Sequence, residues 1–120
     1  MSKYSLEHMH LSSSDPEKAA AFYEKMLGAK MTGSGAMPDG RKNVVVDING
    51  LVLRITETAQ GKADGLDHIG FLTDDIEKGM AEMKAEGCQI VKEIGPLKGG
   101  KMGFFMAPDS VLVELIEKNK

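Results

Sequence analysis

Several features are scarce in this sequence, and each scarcity excludes a class of protein. Cys88 is the single cysteine, so no disulfide can form within the chain, and a reducing cytoplasm is the expected location. No apolar run approaches the ~20 residues that a transmembrane helix needs, and the N-terminus lacks the features of a secretory signal. Lys and Arg number 15 against 18 Asp and Glu, and the formal net charge is −3. A nucleic-acid or anionic-membrane surface requires a basic patch, so we expect neither partner.

The sequence does contain an internal repeat with an offset of 60 residues. The matched positions are Leu6, Glu7 and His8 with Leu66, Asp67 and His68; Asp15, Glu17 and Lys18 with Asp75, Glu77 and Lys78; Arg41 with Lys101; Asn49 with Asp109; and Glu57 with Glu117. These matches need no insertion between them. We therefore predict one domain, residues 1–120, made of duplicated modules at 4–58 and 66–118 with a linker at 59–65.

Each copy has the pattern of a βαβββ unit. In the first copy, alternation predicts a strand over 5–12, and Ser14-Asp15-Pro16-Glu17 predicts the start of a helix that ends at Gly28. Strands are predicted at 30–32, 43–48 and 51–56, the last two joined by a turn at Asn49-Gly50. The second copy predicts strands at 67–73, 89–93, 103–107 and 111–116 and a helix from about Asp75 to Glu86.

These units predict an α+β fold in which two βαβββ modules form a curved mixed sheet, a half-barrel bowl, with helices on its outer face. If Met9 and Leu11 pack on the first helix, then alternation places His8 and His10 on the opposite, helix-free face. The same reasoning places two side chains of the second copy, those of His68 and Glu114, on its helix-free face. Two histidines and one carboxylate in these positions indicate a divalent-metal site.

The fourth position related by the repeat is Arg54, since its offset partner is Glu114. A guanidinium group stays protonated and cannot ligate a metal. Two roles for Arg54 are open. It could pair with Glu114 in a metal-free bowl, or it could bind a carboxylate or phosphate of a substrate in bidentate fashion.

Several stretches of the chain resemble the vicinal oxygen chelate superfamily, which includes glyoxalase I, bleomycin-resistance proteins, fosfomycin-resistance proteins, methylmalonyl-CoA epimerases and extradiol dioxygenases. The resemblance covers essentially the whole chain. The stretches are His8 through Asp15, Phe22-Tyr23, Leu27-Gly28, Val91 through Gly100, Ala107-Pro108-Asp109, and Val113 through Glu117. Those in the second half are most similar to lactoylglutathione lyases.

The resemblance implies that His8, His68 and Glu114 ligate a divalent metal ion, which could be Zn, Ni, Mn or Fe. It also implies that the segment Gly95 to Gly100 lies over the substrate as a loop. We expect a homodimer because a symmetric dimer is the commonest assembly, and His8 could join His68 within one chain or across that dimer. In this family the metal chelates two neighbouring oxygens of the substrate and stabilises the charge that develops on them. Glyoxalase I carries a carboxylate, which serves as ligand and base, where this chain has Arg54.

The function that these features favour is a metal-dependent, glyoxalase-like lyase or isomerase acting on a small substrate with two neighbouring oxygens, such as a thiol adduct. Glu114 would then transfer a proton if it leaves the metal, and Arg54 would orient an anionic group. Two alternatives are a metal-free small-molecule or antibiotic binding protein of the bleomycin-resistance type, and a fosfomycin-type thiol transferase or dioxygenase with a His-His-Glu metal site. His10 could assist a ligand, act as a general base or be an exposed strand residue. The glycine-rich stretch at 95–101 could bind an anion through its backbone and lysines, or could be a flexible hairpin.

Overall fold

The structure is a computed structural model that describes residues 3–120. Its elements are β1 (Tyr4–Ser13), α1 (Pro16–Leu27), β2 (Lys30–Ala36), β3 (Lys42–Ile48), β4 (Leu51–Glu57), β5 (Gly65–Thr73), α2 (Ile76–Ala85), β6 (Ile90–Leu97), β7 (Gly100–Ala107) and β8 (Val111–Lys118), with a 3-10 turn at Pro108–Ser110. The predicted α+β class and the βαβββ order of both copies are confirmed. Within residues 3–120, neither helix is long and apolar enough to cross a membrane.

The chain divides into two compact units, which we call module 1 (residues 8–67) and module 2 (residues 68–120 together with 3–7). The strands of module 1 pair in the order β2-β3-β4-β1, and those of module 2 in the matching order β6-β7-β8-β5. In each module the pair that includes the first strand is parallel and the other pairs are antiparallel. That the two modules make up a single domain stays a prediction.

Both helices begin with the same local structure. The side chain of Asp15 accepts a hydrogen bond from the backbone N–H of Lys18, and that of Asp75 accepts one from the N–H of Lys78, each at 3.1 Å. Each aspartate thereby satisfies a backbone donor that the first helical turn leaves without a partner. Gly28 ends α1 with a φ of 71°, in the left-handed region that glycine adopts without strain. The helix start and stop predicted from the sequence are confirmed.

Each helix covers one face of its own module's strands. In module 1, Met9 and Leu11 pack against a buried cluster that includes Ala20 of α1. In module 2, the residues buried together with Ile76 and Met80 of α2 include Val113 and Leu115. Because side chains alternate along a strand, the neighbours of these core residues lie on the helix-free face. The assignment of faces made from the sequence is confirmed.

The two copies do not match at a single offset, which corrects the prediction that no insertion separates them. The turn between β3 and β4 contains two residues, Asn49 and Gly50, whereas three residues separate β7 from β8. Because the later turn is one residue longer, the strand before it, β7, lies one residue earlier than an offset of 60 would place it. Residues of β3 therefore correspond to residues of β7 at an offset of 59. An ion pair confirms this register, since Lys42 binds Glu17 and Lys101 binds Glu77, both at 2.7 Å. The equivalent of Lys101 is therefore Lys42, and not Arg41.

The segment Gly95 to Gly100 is not the loop that the resemblance implied. It forms the tip of a paired hairpin, in which Gly95 lies opposite Met102 and Leu97 lies opposite Gly100. The alternative interpretation of this stretch as a hairpin is therefore confirmed. Only Lys98 and Gly99 lie between the two strands. The glycines misled the interpretation because a glycine-rich stretch is typical of loops, whereas cross-strand hydrogen bonds hold this one in a ladder.

Candidate functional site

The helix-free face of module 2 holds a buried pair of polar side chains. Nε2 of His68 lies 3.0 Å from Oε1 of Glu114, and less than a tenth of either side chain is exposed. β5 and β8 are parallel neighbours, with Gly70 opposite Glu114, which places the middle of β5 beside the middle of β8. Phe104 of β7 packs edge-on against the His68 ring with the ring centres 5.1 Å apart. Sequence reasoning placed His68 and Glu114 on one face, and the structure brings them into contact.

This pair fits a divalent metal ion. An imidazole nitrogen and a carboxylate oxygen are the donors that zinc and its neighbours bind, each about 2.1 Å from the ion. Two such donors at right angles around one ion lie about 3.0 Å apart, which matches the observed separation of Nε2 and Oε1. Within residues 3–120, every buried side-chain nitrogen and oxygen has a hydrogen-bond partner. The pair is therefore also stable as a direct hydrogen bond.

The helix-free face of module 1 carries the other two histidines of the chain. His8 is buried, with 3% of its surface exposed, and His10 is half-buried. Their ring centres lie 6.0 Å apart, with the ring planes at 65°. A ring nitrogen of one lies within 4.8 Å of a ring nitrogen of the other. His10 is therefore not an exposed strand residue, which was one of the three interpretations of it drawn from the sequence.

His10 belongs to a chain of hydrogen bonds that the sequence did not suggest. Its Nε2 lies 2.7 Å from Oγ1 of Thr56, and that hydroxyl donates to Oδ1 of Asn43 at 3.0 Å. Since the Thr56 proton points to Asn43, the hydroxyl oxygen accepts from Nε2 of His10. In a neutral ring, the proton is then on Nε2 and the lone pair on Nδ1. The signal that could have found Thr56 is its alternation with Leu53 and Ile55, which places it on the helix-free face of β4.

Arg54 lies on the same face, opposite His10 in the pairing of β1 with β4. It is half-buried, and among residues 8–67 no hydrogen bond or ion pair is made by its guanidinium group. The other arginine, Arg41, binds Asp39 at 2.8 Å and the backbone oxygen of Glu57 at 3.1 Å. Arg54 is thus the arginine whose side chain module 1 leaves available to an anionic ligand.

One lysine of the stretch 95–101 is already engaged elsewhere. Nζ of Lys101 contacts Glu77 of α2 and lies 4.0 Å from Glu117. The hydrogen bond from Lys101 lowers the pKa of Glu77, and the same bond raises the pKa of Lys101. Lys101 therefore joins α2 to β7, and anion binding by the stretch 95–101 stays a prediction.

Comparison with known proteins agrees with this architecture. The family model described as the Glyoxalase/Bleomycin resistance protein/Dioxygenase superfamily matches residues 5–115. The chain belongs to this superfamily. Within the superfamily, a lactoylglutathione lyase of Neisseria meningitidis is 29% identical over 94% of this chain and 90% of its own length. The resemblance drawn from the sequence motifs is confirmed at this level.

Solved structures of other proteins share the fold. A hypothetical protein of Bacillus halodurans matches with a TM-score of 0.82 and 24% identity, over 98% of this chain and 96% of that one. The methylmalonyl-CoA epimerase of Mycobacterium tuberculosis matches with a TM-score of 0.76 and 16% identity, over 96% and 88% of the two chains. At these identities the likeness concerns the fold alone.

Proposed function

We propose that this chain is a metal-dependent enzyme of the glyoxalase-like lyase and isomerase type. The observation that carries the proposal is the buried pair of His68 and Glu114, whose nitrogen and oxygen have the separation of two ligands on one ion. The similarity to a lactoylglutathione lyase over nearly the full length of both chains supports it. The third ligand in the proposal is His8, because the repeat places it at the position equivalent to His68.

The substrate class follows from the residues that surround these ligands. A bound divalent ion supplies Lewis acidity and favours a substrate with two neighbouring oxygens, such as a thiol adduct of a dicarbonyl. The carboxylate of Glu114 would take up and return a proton at a substrate carbon. Arg54 would hold a carboxylate or phosphate of the substrate through two parallel hydrogen bonds. The ligand set suits Zn, Ni, Mn and Fe alike, so metal identity must be measured.

The metal site is tested by elemental analysis of purified protein, together with a screen of glyoxal–thiol adducts. His68→Ala and Glu114→Gln should each lose the bound metal and the activity. Glu93→Gln is the matched control, because it removes an exposed carboxylate on β6. Metal content that stays the same in His68→Ala would overturn the assignment.

The role of Arg54 is tested by Arg54→Met with Arg41→Met as its control, since these are the two arginines of the chain. Loss of a bidentate ionic contact costs about 1.5–3 kcal/mol, so KM for an anionic substrate should rise roughly 10- to 100-fold. Metal content should not fall in either variant. An unchanged KM in Arg54→Met would show that Arg54 does not bind the substrate anion.

A metal-free small-molecule binding protein is the second candidate, and one observation favours it. The buried groups of His68 and Glu114 satisfy each other directly, and so the pair does not require an ion. Protein that purifies without metal and gains no melting temperature from divalent ions would support this candidate. Activity that depends on an added thiol, or oxygen consumption with Fe²⁺, would instead identify a transferase or a dioxygenase. The homodimer and the cytoplasmic location stay predictions.

A further inference from the structure

We propose that His10 is itself a metal ligand, bound through Nδ1, and that it supplies the donor that Arg54 cannot provide. The inference rests on the proposed metal site at His8 and deepens it. His8 and His10 are two residues apart on β1, so their side chains lie on the same face, and a ring nitrogen of each lies within 4.8 Å of the other. Two imidazoles at this separation can reach one ion after a small rotation of either ring.

The hydrogen bond of His10 to Thr56 is of the kind that a metal-ligating histidine makes. A ligating histidine usually donates its second ring N–H to an acceptor with a fixed position, which sets the tautomer and the ring orientation. Here Nε2 of His10 donates to Thr56, which is 2% exposed, and Asn43 orients the Thr56 hydroxyl. The tautomer that results carries its lone pair on Nδ1.

The fold itself does not require the hydrogen bonds that join His10, Thr56 and Asn43. Module 2 builds the same three sheet positions from residues without hydrogen-bonding side chains. The equivalents of His10, Thr56 and Asn43 are Gly70, Ile116 and Met102, which share the strand pairing of their counterparts. Since one copy of the repeat forms the same sheet without these groups, packing alone does not account for them.

The position of Arg54 gives a chemical reason for a histidine ligand in place of a carboxylate. Arg54 occupies the fourth position of the repeat and lies opposite His10 in the strand pairing. A neutral imidazole in this position carries one negative charge less than the carboxylate that it replaces. With Arg54 beside it, such a site holds a net positive charge around a divalent ion and favours an anionic substrate. The nitrogen-rich set also favours Zn, Ni or Cu over Mg, Ca and Mn.

The direct test is a titration of the ¹⁵N-labelled wild-type protein with Zn²⁺ alone, followed through the histidine ring nitrogens by NMR. We expect Nδ1 of His10 to shift to the position of a metal-bound nitrogen while Nε2 keeps its proton. A shift of His8 and His68 without a shift of His10 would overturn this inference and leave the proposed function intact. No shift of any histidine would overturn both.

A variant pair checks the supporting hydrogen bond. Thr56→Val keeps the size of the side chain and removes the acceptor of His10, so Zn²⁺ affinity should fall about 10- to 100-fold. Thr32→Val is the matched control, since Thr32 is an exposed strand threonine of the same module. Equal Zn²⁺ affinity in the two variants, with native circular dichroism in both, would contradict the role assigned to Thr56.

Discussion

Gly99 and Gly100 are adjacent in the hairpin between β6 and β7, but different constraints act on them. Gly99 has a φ of 81°, and a Cβ placed there would meet open space. Gly100 is paired with Leu97 on one side and with Lys118 on the other. A Cβ at Gly100 would lie 2.1 Å from the backbone oxygen of Glu117. The first glycine is therefore required by its conformation and the second by the close approach of another strand.

The two glycines should respond differently to substitution by alanine. Gly99→Ala places a side chain in the left-handed region and should lower the free energy of unfolding by about 1 kcal/mol. Gly100→Ala must separate the backbones of β7 and β8, and should cost more than about 2 kcal/mol. Urea denaturation measures both. Equal losses in the two variants would contradict the close approach of the Glu117 backbone.

For single residues, the sequence predicted which face a side chain occupies but not what it touches. Alternation alone placed His68 and Glu114 on one face, because each alternates with residues that pack on a helix. The bond from His10 to Thr56 depends on which strand lies beside β1 and on the side-chain rotamers. Neither is encoded in the local pattern around position 10, so the role of Thr56 and Asn43 required the structure.

Between elements, the two ion pairs from helix to strand are the contacts that the duplication has kept. Lys42 with Glu17 and Lys101 with Glu77 join α1 to β3 and α2 to β7 with the same distance of 2.7 Å. They also reveal the one-residue shift between the copies. The sequence could not show this shift, because Arg41 and Lys42 are adjacent cations and either could be matched to Lys101 by residue type.

The ion pair of Glu77 with Lys101 in module 2 predicts a pH-dependent contribution to stability. The pKa of Glu77 is lowered below its ordinary value of 4.5, so its contribution is present above that value and is lost as pH falls through the lowered pKa. The pKa of Lys101 is raised above 10.5, so its contribution is lost as pH rises through the raised value. Glu77→Gln should therefore reduce stability at neutral pH and have less effect in acid.

Denaturation midpoints of wild type, Glu77→Gln and Lys101→Met at several pH values in low salt measure this contribution. The pair is exposed, so the effect should be small and should weaken as salt is added. The double variant separates the pair from the interaction of Glu77 with the helix dipole. A Glu77→Gln effect that is the same at acidic and neutral pH would contradict the prediction.

A second prediction between elements concerns α2 and the start of β1, both in module 2. Ala19 of α1 corresponds to Gly79 of α2, where a Cβ would lie 3.0 Å from Oη of Tyr4 and 3.3 Å from Cδ1 of Leu115. Alanine usually stabilises a helix by about 1 kcal/mol relative to glycine, but here the contact with Tyr4 should cancel most of the gain. Gly79→Ala should stabilise the Tyr4→Phe background more than the wild type, by at least about 0.5 kcal/mol. Equal effects in the two backgrounds would contradict this contact.

For the whole chain, the repeat made the fold predictable, because two copies that share helix caps, turns and alternation restrict the order of the elements. The strand ends were less predictable, and the glycines at 95 and 99–100 hid the length of the β6–β7 hairpin. In the proposed function the substrate depends on Arg54, which has the opposite charge to Glu114, its counterpart in the other copy. A repeat does not predict the chemistry of a position at which its copies differ. The sequence therefore indicated a metal site more fully than it indicated the substrate of that site.

The proposed metal site predicts a measurable gain in the stability of the protein when an ion is added. An ion that binds only the folded state at 100 times its Kd adds about 2.7 kcal/mol, which corresponds to a rise in Tm of about 10 °C for a chain of this size. Zn²⁺ added to metal-free wild type should produce this rise, and chelator should reverse it. Glu93→Gln should respond as wild type does, whereas Glu114→Gln should gain little. A full rise in Tm for Glu114→Gln would place the ion elsewhere on the protein, because a neutral amide is a much poorer ligand than the carboxylate it replaces.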